Sequence, residues 1–251
     1  MTSGADFYTG LVARIYGPLR SEVPDPRPYG AFIAASGEPA LELGCGDGDP
    51  ILDLRTRGVD VEGLDSSADM LERCQRAAAD RGLEVTVHHG LMETMDLVRR
   101  YRSIYLAGPT FNLLADDTAA AQALGRIHAH LEPGGSALIP LFVPELTPAH
   151  LLGKARTHTT EDGTVMRFTV LADERNEADR TQASAVRYEL QSPTEDLSED
   201  RSWRLHWYGQ EEFRTLAEAA GLRVAAVLSP AGGPAPADAD TFVFWLTAPN
   251  D

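Results

Sequence analysis

The stretch LELGCGDGDP, residues 41–50, decides the fold. A short apolar run leads into three glycines at alternate positions, Gly44, Gly46 and Gly48. A chain written this way leaves a strand, turns tightly and brings its backbone close to a ligand, because glycine adopts angles closed to other residues and presents no side chain. The spacing excludes two phosphate-binding loops. G-x-x-x-x-G-K-[ST] needs a lysine and a hydroxyl residue after the last glycine, whereas Asp49 and Pro50 follow Gly48 here. G-x-G-x-x-G would place Asp49 at its third glycine, where an acid faces a pyrophosphate. Glu42, Asp47 and Asp49 repel phosphate and suit a cation.

Outward from this loop, strand and helix patterns alternate. Asp49 as N-cap and Pro50 at the first helical position predict a helix through PILDLRTR to Gly58. Strand VDVEGLD follows, then helix SADMLERCQRAAADRG with Met70, Leu71, Cys74 and Ala78 on one side. Strands LEVTVHH and SIYLAG, a helix from Asp116 to Leu131 and strand SALIPLFVP continue the alternation. Such βα repetition predicts an α/β fold, with helices covering a largely parallel sheet. Residues 160–208 read differently. TVMRFTVLAD, TQASAVRYELQS and RSWRLHWY alternate without helices between them and predict a small antiparallel β-sheet inserted after the fifth strand. Helix 210–221 and strands LRVAAVLS and TFVFWLT then return to the main sheet.

Bulk properties narrow the partners. The 251 residues carry 38 acids against 22 bases, a formal net charge of −16, so neither a nucleic-acid footprint nor an anionic membrane surface is expected. No apolar run approaches the about 18–20 residues of a membrane span, and the first ten residues lack the pattern of a signal peptide. The two cysteines, Cys45 in the loop and Cys74 in a helical pattern, predict no disulfide framework and a cytoplasmic location. A small-molecule partner fits this chain best.

The frame E-x-G-x-G-x-G, made by Glu42, Gly44, Gly46 and Gly48, resembles motif I of the class I S-adenosylmethionine-dependent methyltransferases. Asp65 at the end of the second strand, in VEGLDSSADML, and LEPGG before the fifth strand extend the resemblance over residues 38–143 and 210–248. It implies a Rossmann-like seven-stranded sheet flanked by helices, with S-adenosyl-L-methionine as cofactor and S-adenosyl-L-homocysteine as product. That donor carries an ammonium and a sulfonium and no phosphate, in keeping with the acids of the loop. By the same resemblance Glu42, Gly44, Cys45 and Gly46 surround its methionine part, and Asp65 takes both ribose hydroxyls. Ser66 and Met70 flank the adenine. Leu91 stands where the family often has an acid for the adenine amino group, so Leu91, Met92 and Glu93 are expected at the adenine edge, and Gly108 completes the set.

The acceptor is read beyond the fourth strand. AGPTFN, residues 107–112, lacks the [DN]-P-P-[YF] of nucleic-acid and protein-amide methyltransferases, and Asn112 alone does not make a metal site. FYTGLVARIYGPLR, residues 7–20, resembles the helix that closes over the cofactor in actinobacterial natural-product and amino-sugar N-methyltransferases, the lincosamide enzymes among them. The resemblance implies an N-terminal helical lid over 1–36, a cofactor-binding domain over 37–145 and 209–251, and an inserted antiparallel β subdomain over 146–208. It also makes Tyr8, Tyr16 and Phe111 the aromatic groups around the reacting atoms, with Tyr16 alternatively reaching the cofactor carboxylate. Aromatic faces attract a sulfonium or an ammonium.

The expected substrate side comprises Tyr8, Phe111, Asn112, His150, Arg204, His206 and Tyr208. Alternation in WRLHWY puts Arg204, His206 and Tyr208 on one face and Trp203, Leu205 and Trp207 on the other. His128 and His130 are expected at the surface, and the acids of 173–179 and 195–200 in solvated turns. The expected function is in-line N-methylation of an amine on a small natural product. O-methylation and cofactor binding without turnover are the alternatives, and the inserted sheet is the expected contact surface of a homo-oligomer.

Overall fold

A computed structural model describes residues 7–20 and 23–250. Residues 1–6, 21–22 and 251, which belong to the expected N-terminal and closing segments, lie outside the described residues. A seven-stranded sheet is built from β1 (Ala40–Leu43), β2 (Val61–Asp65), β3 (Val87–His89), β4 (Tyr101–Tyr105), β5 (Leu131–Phe142), β10 (Arg223–Leu228) and β11 (Thr241–Thr247). Its order is β10-β11-β5-β4-β1-β2-β3. The pairs from β5 to β3 are parallel, and β11 runs antiparallel to both its neighbours. This is the Rossmann-like α/β sheet expected from the sequence.

All four residues of β1 are buried, as a central parallel strand covered on both faces requires. Leu41, Leu43, Ile104 and Ile139 pack toward α5 (Asp117–His130) and α6 (Gln210–Ala219). Ala40 and Tyr105 pack toward α2 (Pro26–Ser36), α3 (Ile51–Thr56) and α4 (Ala68–Asp80). Caps set the register of these helices. Ser67 accepts Met70 N–H at 3.2 Å at the start of α4, and Asp116 accepts Ala119 N–H at 2.9 Å at the start of α5. Asp49 does not cap α3 as expected, because Pro50 is the N-cap residue and the Asp49 carboxylate turns instead to Arg20.

A second, antiparallel sheet has the order β6-β7-β8-β9, from β6 (Ala155–Thr159), β7 (Val165–Asn176), β8 (Thr181–Gln191) and β9 (Asp196–His206). β6 goes beyond the three predicted strands: its five residues are all exposed, so no apolar alternation marks it. The acids of 173–179 and 195–200 lie largely in the strands β7 and β9 rather than in turns. Helix α1 (Gly10–Leu19) packs on this sheet, with Val12, Ile15 and Leu19 against Val186, Tyr188 and Leu190. Each such side chain contributes about 1.5–3 kcal/mol when buried, so α1 is held chiefly by the second sheet. Four polar contacts supplement that packing. Gly10 N–H donates to Asp69 Oδ2 at 2.6 Å and Ser67 Oγ to the Tyr8 carbonyl at 2.5 Å, while Arg14 pairs with Glu195 and Arg201 reaches Thr9. Among the described residues no helix is long and apolar enough to cross a membrane.

Candidate active site

A cavity of 1320 Å³ opens above the C-terminal ends of β1, β2 and β4 and extends to the second sheet. That is where an open α/β sheet binds ligands, because the strand order reverses there. Gly44, Gly46 and Gly48 have φ of 71°, 53° and 108°, angles that suit glycine. Space matters as much as conformation: a Cβ on Gly44 would stand 2.7 Å from Thr110 Cγ2. Asp65 closes the loop from the next strand. One of its oxygens accepts Gly46 N–H and the other Ser67 N–H, both at 2.8 Å. Each carboxylate oxygen keeps a further lone pair for a ligand hydroxyl. Burial raises the Asp65 pKa above the usual range, against the pull of those two backbone donors.

Glu42 lies beneath the loop, fully buried, and is not on the cavity wall. Tyr105 donates to its Oε2 at 2.6 Å, while Oε1 is buried with no partner among the described residues. Burial pushes the carboxyl up to about 8, with Asp65 and Asp49 adding to the shift. Asp47 is likewise raised by burial. Arg20, from the end of α1, answers this acidity: it pairs with Asp49 and lies 3.5 Å from Asp47. Asp47 and Asp49 line the cavity, so the loop favours a cation, and Asp65 keeps acceptor lone pairs beside it. These residues fit the donor.

Glu42 implies a pH dependence. Because its folded pKa is raised, the folded protein holds an extra proton between the usual carboxyl value and about 8, and stability falls as pH rises through that window. Glu42→Gln is expected to flatten the fall of Tm between pH 5 and pH 8 (a range on the order of three units). An unchanged slope in thermal scans contradicts an uncharged buried Glu42.

Ser66, Met70, Leu91, Met92 and Glu93, the residues expected at the adenine, line the cavity, as do Gly108 and Cys45. Cys45 is 1% exposed and burial raises its thiol pKa, which makes it an inert packing group. Over the loop stand Tyr8 and Tyr16, with ring centroids 5.3 Å apart in an edge-to-face contact. Burial raises both phenol pKa values, so both hydroxyls stay protonated and can donate one hydrogen bond and accept another. Arg204 and His206 line the opposite end of the cavity.

Four expected substrate residues stand elsewhere. Phe111 sits in a 3₁₀ turn (Thr110–Leu113), fully buried, edge-on to Phe213 at 5.3 Å and Tyr208 at 6.1 Å. It packs the core rather than lining the cavity, because the turn rotates its side chain inward. Tyr208 is fully buried in the same cluster, since β9 ends at His206 and the strand alternation stops there. Asn112 is a structural tie: its Nδ2 donates to the carbonyls of Phe142 at 3.0 Å and His206 at 2.9 Å. His150 is exposed and lies off the cavity. His130, expected at the surface, is buried and bonds the Arg126 carbonyl and Leu97 N–H. Residues that the sequence reading passed over also line the cavity: Arg20, Asp117, Arg180, Tyr188 and Trp203. Isolated charges and strand aromatics of this kind carry no local signature.

Residues 40–135 match a methyltransferase domain family. Over 187 residues, 73% of this chain and 69% of the relative, the sequence is 29% identical to a dTDP-3-amino-3,6-dideoxy-alpha-D-glucopyranose N,N-dimethyltransferase of Streptomyces fradiae. The fold is similar to that of the CcbJ methyltransferase from Streptomyces caelestis, with a TM-score of 0.77, 23% identity and coverage of 99% of this chain and 98% of that one. It is also similar to CalS10, an amino pentose methyltransferase from Micromonospora echinaspora with S-adenosylmethionine bound, with a TM-score of 0.67, 22% identity and coverage of 96% and 98%. Residues 40–135 are thus a methyltransferase domain, and the whole chain shares the fold of these neighbours. The CalS10 structure holds S-adenosylmethionine, the donor expected here from the sequence.

Proposed function

We propose that the protein N-methylates an amine on a small, sugar-like natural product. The observation that carries this reading is one cavity lined together by the glycine loop, Tyr8, Tyr16, Arg204 and His206. The activity named for the Streptomyces fradiae relative supports it.

When bound, the donor supplies an electrophilic methyl on a sulfonium. The chain's own residues then orient the partners and exclude water, which is where most of the rate of an in-line displacement arises. Asp65 and the loop backbone hold the donor at one end. Tyr8 and Tyr16 present two π faces suited to a cation and two hydroxyl oxygens that can accept an amine N–H, which leaves the amine lone pair free to face the methyl. We place α1 over the cavity as the lid, bound to the second sheet by packing and to the loop by Arg20.

A mass-resolved assay tests the reading, with an aminodeoxysugar and its amine-free parent sugar as acceptors. Methylation of the first alone is expected, and methylation of both indicates a hydroxyl acceptor. Tyr8→Phe is expected to lower kcat about 10-fold or more while S-adenosylmethionine affinity stays within about twofold. Unchanged turnover removes the Tyr8 hydroxyl from the reaction.

A further inference from the structure

The acceptor end of the cavity holds a polar cluster that neither the glycine loop nor the tyrosines use. His206 lines the cavity and is only 4% exposed. Its Nε2 meets Asp117 Oδ1 at 2.9 Å, and Arg180 Nη2 donates to the same carboxylate at 2.6 and 2.5 Å. The hydrogen bonds from His206 and Arg180 hold the Asp117 carboxyl low against the opposing effect of burial. An ionised carboxylate only accepts, so Nε2 carries a ring proton and donates it to Asp117, which leaves Nδ1 as the second polar atom of the ring. Nδ1 is buried and has no partner among the described residues.

Three elements converge here: the first turn of α5 at Asp117, the β7–β8 hairpin tip at Arg180 and the end of β9 at His206. Two of them are fixed from behind. Asn112 bonds the His206 carbonyl, the Arg180 carbonyl accepts Trp207 N–H at 3.0 Å, and the Arg180 guanidinium lies 5.3 Å from the Tyr208 ring centroid. Arg180 also has a φ of 50°, the one positive value outside glycine among the described residues. Backbone strain of this kind persists where surrounding contacts over-determine it, often at ligand sites. A fixed network of three polar side chains that line the cavity, with one buried ring nitrogen unpartnered among the described residues, is a preorganised subsite.

We propose that Asp117, Arg180 and His206 form the subsite that reads the hydroxyl groups of the acceptor. His206 Nδ1 bonds one hydroxyl, and the Asp117–Arg180 pair bonds a neighbouring one. The proposal rests on the amine reading above and narrows it: a hydroxyl-bearing ring satisfies the subsite, whereas an apolar amine leaves Nδ1 unpaired. A site built to bond a substrate hydroxyl rejects the analogue that lacks it.

The test uses the whole protein loaded with S-adenosylhomocysteine and titrated by calorimetry with 3-amino-3-deoxyglucose and with cyclohexylamine. The aminosugar is expected to bind about tenfold or more tighter. His206→Phe and Arg180→Lys are each expected to weaken aminosugar binding about tenfold, leaving cyclohexylamine and S-adenosylhomocysteine within about twofold. Asp117→Asn, at a side chain that is 52% exposed, repeats the test where folding is not in question. Aminosugar affinity unchanged by these variants, equal losses for both amines, or no aminosugar binding by the wild type overturns the subsite. Aminosugar that binds through these residues and is not methylated contradicts the function proposed above and leaves the subsite standing.

Discussion

Asp65→Ala is expected to weaken S-adenosylmethionine binding about 100-fold or more. Two hydrogen bonds from ribose hydroxyls to a charged acceptor are each worth about 1.5–3 kcal/mol, so losing both costs on the order of 3 kcal/mol or more. The variant also releases the loop, because Asp65 accepts Gly46 N–H and Ser67 N–H at 2.8 Å. Asp65→Asn separates the two effects. It keeps one oxygen acceptor and loses the charge, so an intermediate loss of about tenfold is expected. Calorimetric titration of both variants checks this, and a dissociation constant equal to the wild type in Asp65→Ala contradicts the placement of the ribose.

Gly44→Val has the second large effect, on the fold and the site together. The residue sits at φ 71°, and its Cβ would be 2.7 Å from Thr110 Cγ2. A left-handed conformation costs a residue with a Cβ about 1–2 kcal/mol, and overpacking adds about 1–3 kcal/mol. The sum is a large part of the about 5–15 kcal/mol that holds a domain together. A markedly lowered Tm and loss of cofactor binding are expected. Gly108→Ala is the control: it borders the same cavity, but a Cβ there meets nothing within 4 Å. Its Tm is expected to stay near the wild type, and equal losses in the two variants contradict a role for backbone approach at Gly44.

The sheet and the donor end of the site were legible because each rests on local pattern. Strand–helix alternation follows from burial on both faces of β1, and the glycines with Asp65 lie in one continuous stretch of chain. The acceptor end was legible only in part, since it depends on which way side chains turn. Phe111 after β4 reads alike as a core or a site residue, and the 3₁₀ turn decides for the core. Arg20 reads as a helix-end charge until the loop acids are brought beside it. Asp117, Arg180 and His206 are far apart in sequence and meet only because the second sheet folds back over α5. β6, wholly exposed, had no apolar signal to show.

In the proposed function one cavity presents the donor methyl to an acceptor amine. A crystal structure with S-adenosylhomocysteine and an aminodeoxysugar bound together tests this. The amine nitrogen is expected to face the sulfur in line, about 3–3.5 Å from where the methyl carbon stands during transfer. Tyr8 and Tyr16 should lie beside that line, with the ribose on Asp65. An amine held away from the sulfur, with a hydroxyl in its place, or a ribose away from Asp65, contradicts it.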